Sequence, residues 1–147
     1  MFIPRLVLAS TSPYRRELLA RLRLPFEVRA PAVDEGALHG EAARDTALRL
    51  AQAKARAASA EFPQALVIGC DQVADVPTTV CFRQYGDDEI EHYLERERPY
   101  DCAGSAKIEG LGIVLVARVR GDDPSALIGL PLMRLVDMLR NEGVAVV

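Results

Sequence analysis

Between Arg5 and Ala9 the sequence reads RLVLA, and the next four residues are Ser10-Thr11-Ser12-Pro13. A short apolar, β-compatible run that ends in a hydroxyl-rich turn and a proline leaves few continuations. Ser12 is a good N-cap and Pro13 is favoured at the first helical position, so a helix starts here. Leu18, Leu19 and Leu22 give that helix an apolar face, and Pro25 ends it. Phe26–Ala30 (FEVRA) then alternates apolar and polar residues as a strand does.

The same alternation of strand and helix continues. Pro31–Gly40 holds one proline and two glycines and reads as a loop. An Ala-rich helix is predicted from about Glu41 to Phe62, with Ala43, Ala47, Leu50, Lys54 and Ala58 on one side. Ala65–Cys70 (ALVIGC) is the most apolar short run and the candidate for a buried strand. Thr78–Arg83 is a further strand. Asp87 or Asp88 caps a helix through about Arg98 with Ile90, Tyr93 and Leu94 inward. Gly112–Val119 (GIVLVARV) reads as a strong β run, and Gly121–Gly129 as a polar loop. Leu132, Leu135, Val136 and Leu139 are spaced for a last helix, with Pro131 at its start and Gly143 closing it. The class is α/β with a mixed sheet.

Composition narrows the function. The chain has 147 residues, 50% hydrophobic and 27% charged, with a net charge of −3. That fits one domain able to withdraw about two-thirds of its unfolded surface from water, and it excludes intrinsic disorder. No apolar run approaches the ~18 residues of a membrane span, and the N-terminal apolar stretch is too broken for a secretion signal. A cytoplasmic protein with no membrane partner is expected. A basic excess is absent and aromatics make up 5% with no Trp, which argues against nucleic acid as a partner. Cys70, Cys81 and Cys102 have no metal or disulfide spacing, and His39 and His92 are the only histidines.

Five constellations carry chemistry. Ser10 to Arg16 sets hydroxyls and two arginines at a helix start, which suits phosphate, although an ordinary capped helix with solvated arginines has the same look. Asp34-Glu35 can hold Mg²⁺ or Mn²⁺ through oxygen, or simply keep a loop soluble. Asp71 follows a buried-looking strand, where α/β sheets gather ligands; it can bind a metal, orient a water or start a turn. Lys54, on the apolar side of its helix, either snorkels or points into a site. Ala103–Gly110 is an irregular segment that could be a plain turn. There is no GxxxxGK[ST], no GxGxxG and no Ser/His/Asp set. Taken together, the five describe an anion cleft suited to metal-assisted attack of water on a phosphate anhydride.

In this order, LASTSPYRRELL, APAVDE, LRLAQAKA, VIGCDQV, CAGSAKIEGLG and IGLPLMRL resemble the Maf family of nucleotide pyrophosphatases. The likeness is strongest to its 7-methyl-GTP pyrophosphatase branch, through Tyr14 before the arginines, Gln72, and Cys102-Ala103-Gly104-Ser105. It covers nearly the whole chain. The resemblance implies a Maf-like, ITPase-like α/β fold: an elongated mixed sheet flanked by helices, with a central cleft. It implies hydrolysis of a nucleoside triphosphate, 7-methyl-GTP, to the monophosphate and pyrophosphate with a divalent cation (Mg²⁺ or Mn²⁺). Asp71 would be the catalytic proton acceptor and, with Glu35, a metal-side acid. Ser10, Arg15, Arg16 and Lys54 would bind phosphate, and Tyr14, Gln72 and Glu109 would set substrate choice. A homodimer is implied as well.

One departure stands out. Between about Asp75 and Thr78 the family carries more strand, a Gly-Lys-Pro loop, a helix and a hairpin. Here Val76 runs directly into Pro77. Either the block has been lost, or it belongs to the protein and the 147 residues leave it out. Losing several central elements should destroy a cooperative core, which favours the second explanation. The departure keeps two other functions in view: a non-catalytic nucleotide-binding module, and a pyrophosphatase for other non-standard triphosphates of inosine or uridine type.

Overall fold

A computed structural model describes residues 4–36, 38–71 and 78–147. In chain order its elements are β1 (Leu6–Ala9), α1 (Pro13–Ala20), β2 (Phe26–Arg29), α2 (Ala43–Glu61), β3 (Leu66–Gly69), β4 (Thr79–Phe82), α3 (Asp87–Glu97), β5 (Val116–Arg120) and α4 (Leu132–Asn141). The α/β class holds. Among the described residues the two kinds of strand pairing fall in separate sheets. β1 lies between β2 and β3, parallel to both, with Leu6 opposite Phe26 and Leu66. β4 and β5 pair antiparallel, with a register shift between Cys81 and Phe82.

β1 is the axis of the core. Strand geometry sends alternate side chains to opposite faces. Leu6 and Leu8 pack with Leu18 and Leu19 of α1 and Leu135 and Leu139 of α4. Val7 and Ala9 face Ala58 of α2. All four β1 residues are 1% exposed or less, so each of its larger side chains contributes about 1.5–3 kcal/mol of burial. This three-layer arrangement is what the apolar run at residues 5–9 asked for.

α1 begins as expected: Ser12 is its N-cap, with the Arg15 N–H donating to its Oγ at 3.4 Å, and Pro13 is the first helical residue. In α2, Ala47, Leu50, Lys54 and Ala58 are buried while Ala43 stays exposed at the helix start. Gly69 lets β3 lie against α2. A Cβ there would collide with the backbone oxygen of Ala51 and sit 2.8 Å from the Ala55 Cβ.

The structure corrects several expectations. β3 is half-buried throughout rather than buried, because among the described residues it pairs on one side only, with β1, which takes the centre. The run Gly112–Val119 is a strand only from Val116. Leu111–Leu115 winds into a 3₁₀ turn, in which the Gly112 N–H donates to Lys107 O and the Leu111 N–H to Glu97. Gly86, not an aspartate, is the N-cap of α3, and Glu89 accepts its N–H at 3.1 Å. On α3 Tyr93 is buried, but Ile90 is 40% exposed because only one narrow face of this helix is covered. The loop at 121–129 contains a 3₁₀ turn, Ala126–Ile128.

Candidate active site

Two adjoining cavities open where β1 hands over to α1. The smaller, about 270 Å³, is lined by Ser10, Thr11, Arg15, Pro31, Glu35, Lys54 and Asp71. Ser10, Arg15, Glu35, Lys54 and Asp71, drawn from four segments of the chain, thus share one space. The topology explains the convergence. β1 and β3 are parallel neighbours, so Ser10 and Asp71 emerge at the same sheet end, where ligands of α/β folds collect.

Lys54 is the hub. Its side chain leaves α2 only 5% exposed, and its Nζ lies 2.7 Å from Asp71 Oδ1 and 2.9 Å from Glu35 Oε2. Burial alone would lower the Lys54 pKa. The hydrogen bonds to Asp71 and Glu35 outweigh it and raise the pKa above the usual lysine value, so the ammonium keeps its charge. Lys54 therefore points into the site and does not snorkel. The loop bearing Glu35 is pinned on either side. Asp34 accepts the Gly36 N–H at 2.9 Å, and Arg49 donates to Gly36 O at 3.0 Å while gripping Glu41 with two bonds of 2.8 Å. That grip holds the Glu41 carboxyl at a pKa of about 2.

The helix start contributes less than the sequence suggested. Ser10, 4% exposed, accepts the Ser12 N–H at 3.1 Å, Ser12 accepts that of Arg15, and Pro13 has none to give. The amides of Ser12 and Arg15 are thus bonded within the turn, and Pro13 has none. Positive charge comes instead from side chains. Arg15 is anchored by its Nε to Gly129 O at 3.1 Å and lines both cavities. Arg16 is exposed and lines neither.

The larger cavity, about 530 Å³, has a more apolar wall that includes Val80, Phe82, Leu127 and Ile128. Tyr14 and Glu109 both line it, as do Asp101, Cys102 and Lys107. The segment carrying these last residues is held by α3. Tyr93 donates to Ser105 O at 2.9 Å and accepts the Lys107 N–H at 3.1 Å. Glu97 takes the Lys107 ammonium at 2.8 Å and the Leu111 N–H at 2.7 Å; the lysine first and then the amide lower its pKa. Ala103–Gly110 is thus a fixed wall rather than a loose turn. Gln72 lies outside the described residues.

Sequence reasoning missed Thr11, Asp101 and Lys107 as cavity residues. Thr11 was within reach, since it belongs to the hydroxyl turn. Asp101 and Lys107 gain their place from partners 87 and 10 residues away, Tyr14 and Glu97. Among the described residues no three His, Cys, Asp or Glu side chains form a ready metal cluster.

Comparison with known proteins places the chain in a family. The family described as Maf-like protein matches residues 5–76 and again residues 73–142. A protein of Methylobacillus flagellatus named 7-methyl-GTP pyrophosphatase is 48% identical over 192 residues, taking in 99% of this chain and 100% of the relative. Proteins of the same name from Albidiferax ferrireducens and Thiobacillus denitrificans are 45% and 48% identical over 97% of this chain, taking in 95% and 94% of those relatives. Since the chain has 147 residues, at least 45 of the 192 positions aligned with the Methylobacillus protein have no residue opposite them here.

Proposed function

The chain belongs to the Maf family, and we propose that it is a nucleotide pyrophosphatase that hydrolyses 7-methyl-GTP to 7-methyl-GMP and pyrophosphate. One observation carries the reading: Ser10, Arg15, Glu35, Lys54 and Asp71 line a single cavity beside a second one containing Tyr14 and Glu109. The names of the relatives supply the substrate. Arg15 and Lys54 neutralise the triphosphate, and the buried Ser10 hydroxyl fixes the turn beneath it. Asp71 accepts the proton of the attacking water, and its contact with the Lys54 ammonium aims one oxygen while leaving the other for that water. Tyr14 stacks on the base, whose methylation makes it cationic, and Glu109 accepts hydrogen bonds from the guanine edge. Gln72 is retained as a third selectivity residue. Arg16, exposed as it is, contributes at most to the field around the entrance.

The donor set suits a divalent cation. Glu35 and Asp71 approach from two separate segments and meet at the Lys54 ammonium, both through oxygen, and Mg²⁺ or Mn²⁺ commonly takes one or two carboxylates plus substrate phosphate oxygens. Such an ion, when bound, adds charge neutralisation at the phosphates and acidifies its water. Lys54 holds the two carboxylates together, which offsets their mutual repulsion and keeps them in register.

No described helix is long and apolar enough to cross a membrane; a cytoplasmic location and a homodimer complete the proposal. The test is pyrophosphate release with Mg²⁺ or Mn²⁺ across 7-methyl-GTP, GTP, ITP and UTP. Release from 7-methyl-GTP in preference to GTP is expected. A preference for ITP or UTP would move the enzyme to another non-standard triphosphate.

We also propose that the chain is one Maf-like domain, residues 1–147, lacking a family block between about Asp75 and Thr78. The break in the family match at residues 73–76 and the surplus positions in the relatives support this. The missing block favours a second reading, a nucleotide-binding module without turnover. An intact mass of 16.1 kDa, with 7-methyl-GTP bound and no pyrophosphate released, would establish it.

A further inference from the structure

The larger cavity contains one contact that no role assigned above uses. The Tyr14 hydroxyl donates to Asp101 Oδ2 at 2.8 Å, joining residues 87 apart in sequence. Cys102 closes the group, its Sγ 3.5 Å from the Tyr14 oxygen and 3.7 Å from Asp101 Oδ1. Hydrogen bonds with Cys102 and Asp101 push the Tyr14 phenol well above its usual range, and the Tyr14 bond holds the Asp101 carboxyl below its own. The pair is therefore a neutral phenol donating to a carboxylate. Two cations line the same cavity: Lys107, paired with Glu97, and Arg15, whose Nε donates to Gly129 O. Asp101 and Glu109 set two carboxylates among them in a cavity with apolar walls.

We infer that Asp101 determines specificity: it fixes the Tyr14 ring for stacking and supplies a negative charge that favours a cationic purine over its neutral counterpart. The inference rests on the base-binding assignment of this cavity made above. It predicts that the Asp101 charge adds to the discrimination that Tyr14, by stacking on a cation, and the Glu109 carboxylate already exert. Asp101→Asn separates the two effects, because the amide oxygen still accepts the Tyr14 hydroxyl while the charge is gone.

Binding of 7-methyl-GMP and of GMP to the intact protein, measured by calorimetry, tests this without requiring turnover. In the Asp101→Asn protein the preference for 7-methyl-GMP over GMP should fall about fivefold, the scale of one exposed charge pair. Asp101→Glu should restore most of it. Added salt should shrink the preference of the unaltered protein more than that of Asp101→Asn, in which the Glu109 carboxylate remains. An Asp101→Asn protein that keeps the full preference, or that loses affinity for both nucleotides by the same factor, overturns the role of Asp101 alone. An unaltered protein that binds the two nucleotides equally overturns the substrate reading and this inference together.

Discussion

The two sheets of this protein are built on different terms. In the parallel sheet, β1 is covered on both faces and none of its four residues exceeds 1% exposure. In the antiparallel pair, β5 buries only Val116, and Phe82 at the end of β4 is 53% exposed. The first sheet ends in the charged cavity, and the second borders the wider, more apolar one. On the function proposed above, the charge chemistry stands on the buried half and recognition of the base on the exposed one. The strongest test of this contrast is Asp71→Asn, at the end of the buried half. It should lower kcat for 7-methyl-GTP by about 100- to 10,000-fold, the scale of a lost general base. Near-normal turnover in a pyrophosphate-release assay would remove Asp71 from its role.

Next in size is stability. Leu8→Ala opens a cavity in the centre of β1 and should cost about 3 kcal/mol in urea unfolding. Phe82→Ala, in the other sheet, should cost about 1 kcal/mol or less. Equal costs would erase the contrast. On the recognition side, Glu109→Ala should raise KM for 7-methyl-GTP about tenfold more than for GTP, because the lost carboxylate faces a cationic base in the first and a neutral one in the second. Equal effects on both would strip Glu109 of its part in selecting the methylated base.

The smallest expected effect concerns Asp123, which is 4% exposed and lies outside both cavities. Its carboxylate accepts the Met133 N–H at 2.8 Å and the Ser125 N–H and hydroxyl, while Ser125 Oγ accepts the Leu132 N–H at 2.7 Å. Together they cap α4 from the preceding loop. Burial would raise the Asp123 pKa, but the Ser125 and amide bonds win and hold it below the ordinary 3.8. The stabilisation is therefore fully present above the unfolded value and fades as pH falls through the lower folded value. Asp123→Ala should cost about 1 kcal/mol at pH 7, and the difference from the unaltered protein should narrow below about pH 4 in thermal unfolding. A gap independent of pH would mean that packing, not the charge, matters.

Local signals were readable where local physics decides. The Ser12 cap, the Pro13 start and the buried stripe Ala47-Leu50-Lys54-Ala58 all depend on neighbours within one or two helical turns. Local signals marked Ser10, Arg15, Glu35, Lys54 and Asp71 as candidates but left each open to a plain structural reading; their roles came with the resemblance to the Maf family. What was not readable depends on distant partners. β3 looked buried from its apolar run, yet strand order leaves it, among the described residues, paired on one side only. Residues 112–115 have strong β propensity, yet Glu97 and the Lys107 carbonyl draw the backbone into a 3₁₀ turn. Gly112 permits it, since a Cβ there would meet the Lys107 oxygen at 2.6 Å. Asp101 and Asp123 are ordinary loop acids in the sequence and acquire meaning only through Tyr14 and the start of α4.

The close seating of β3 on α2 has a consequence for the chemistry. Gly69 touches α2 beside Ala51 and Ala55, one residue from Lys54 along the helix and two from Asp71 along the chain. The gap between ammonium and carboxylate is thus gauged by an absent methyl group. Any side chain at that position would wedge strand from helix and loosen the spacing of the charges, though it would never itself meet a nucleotide.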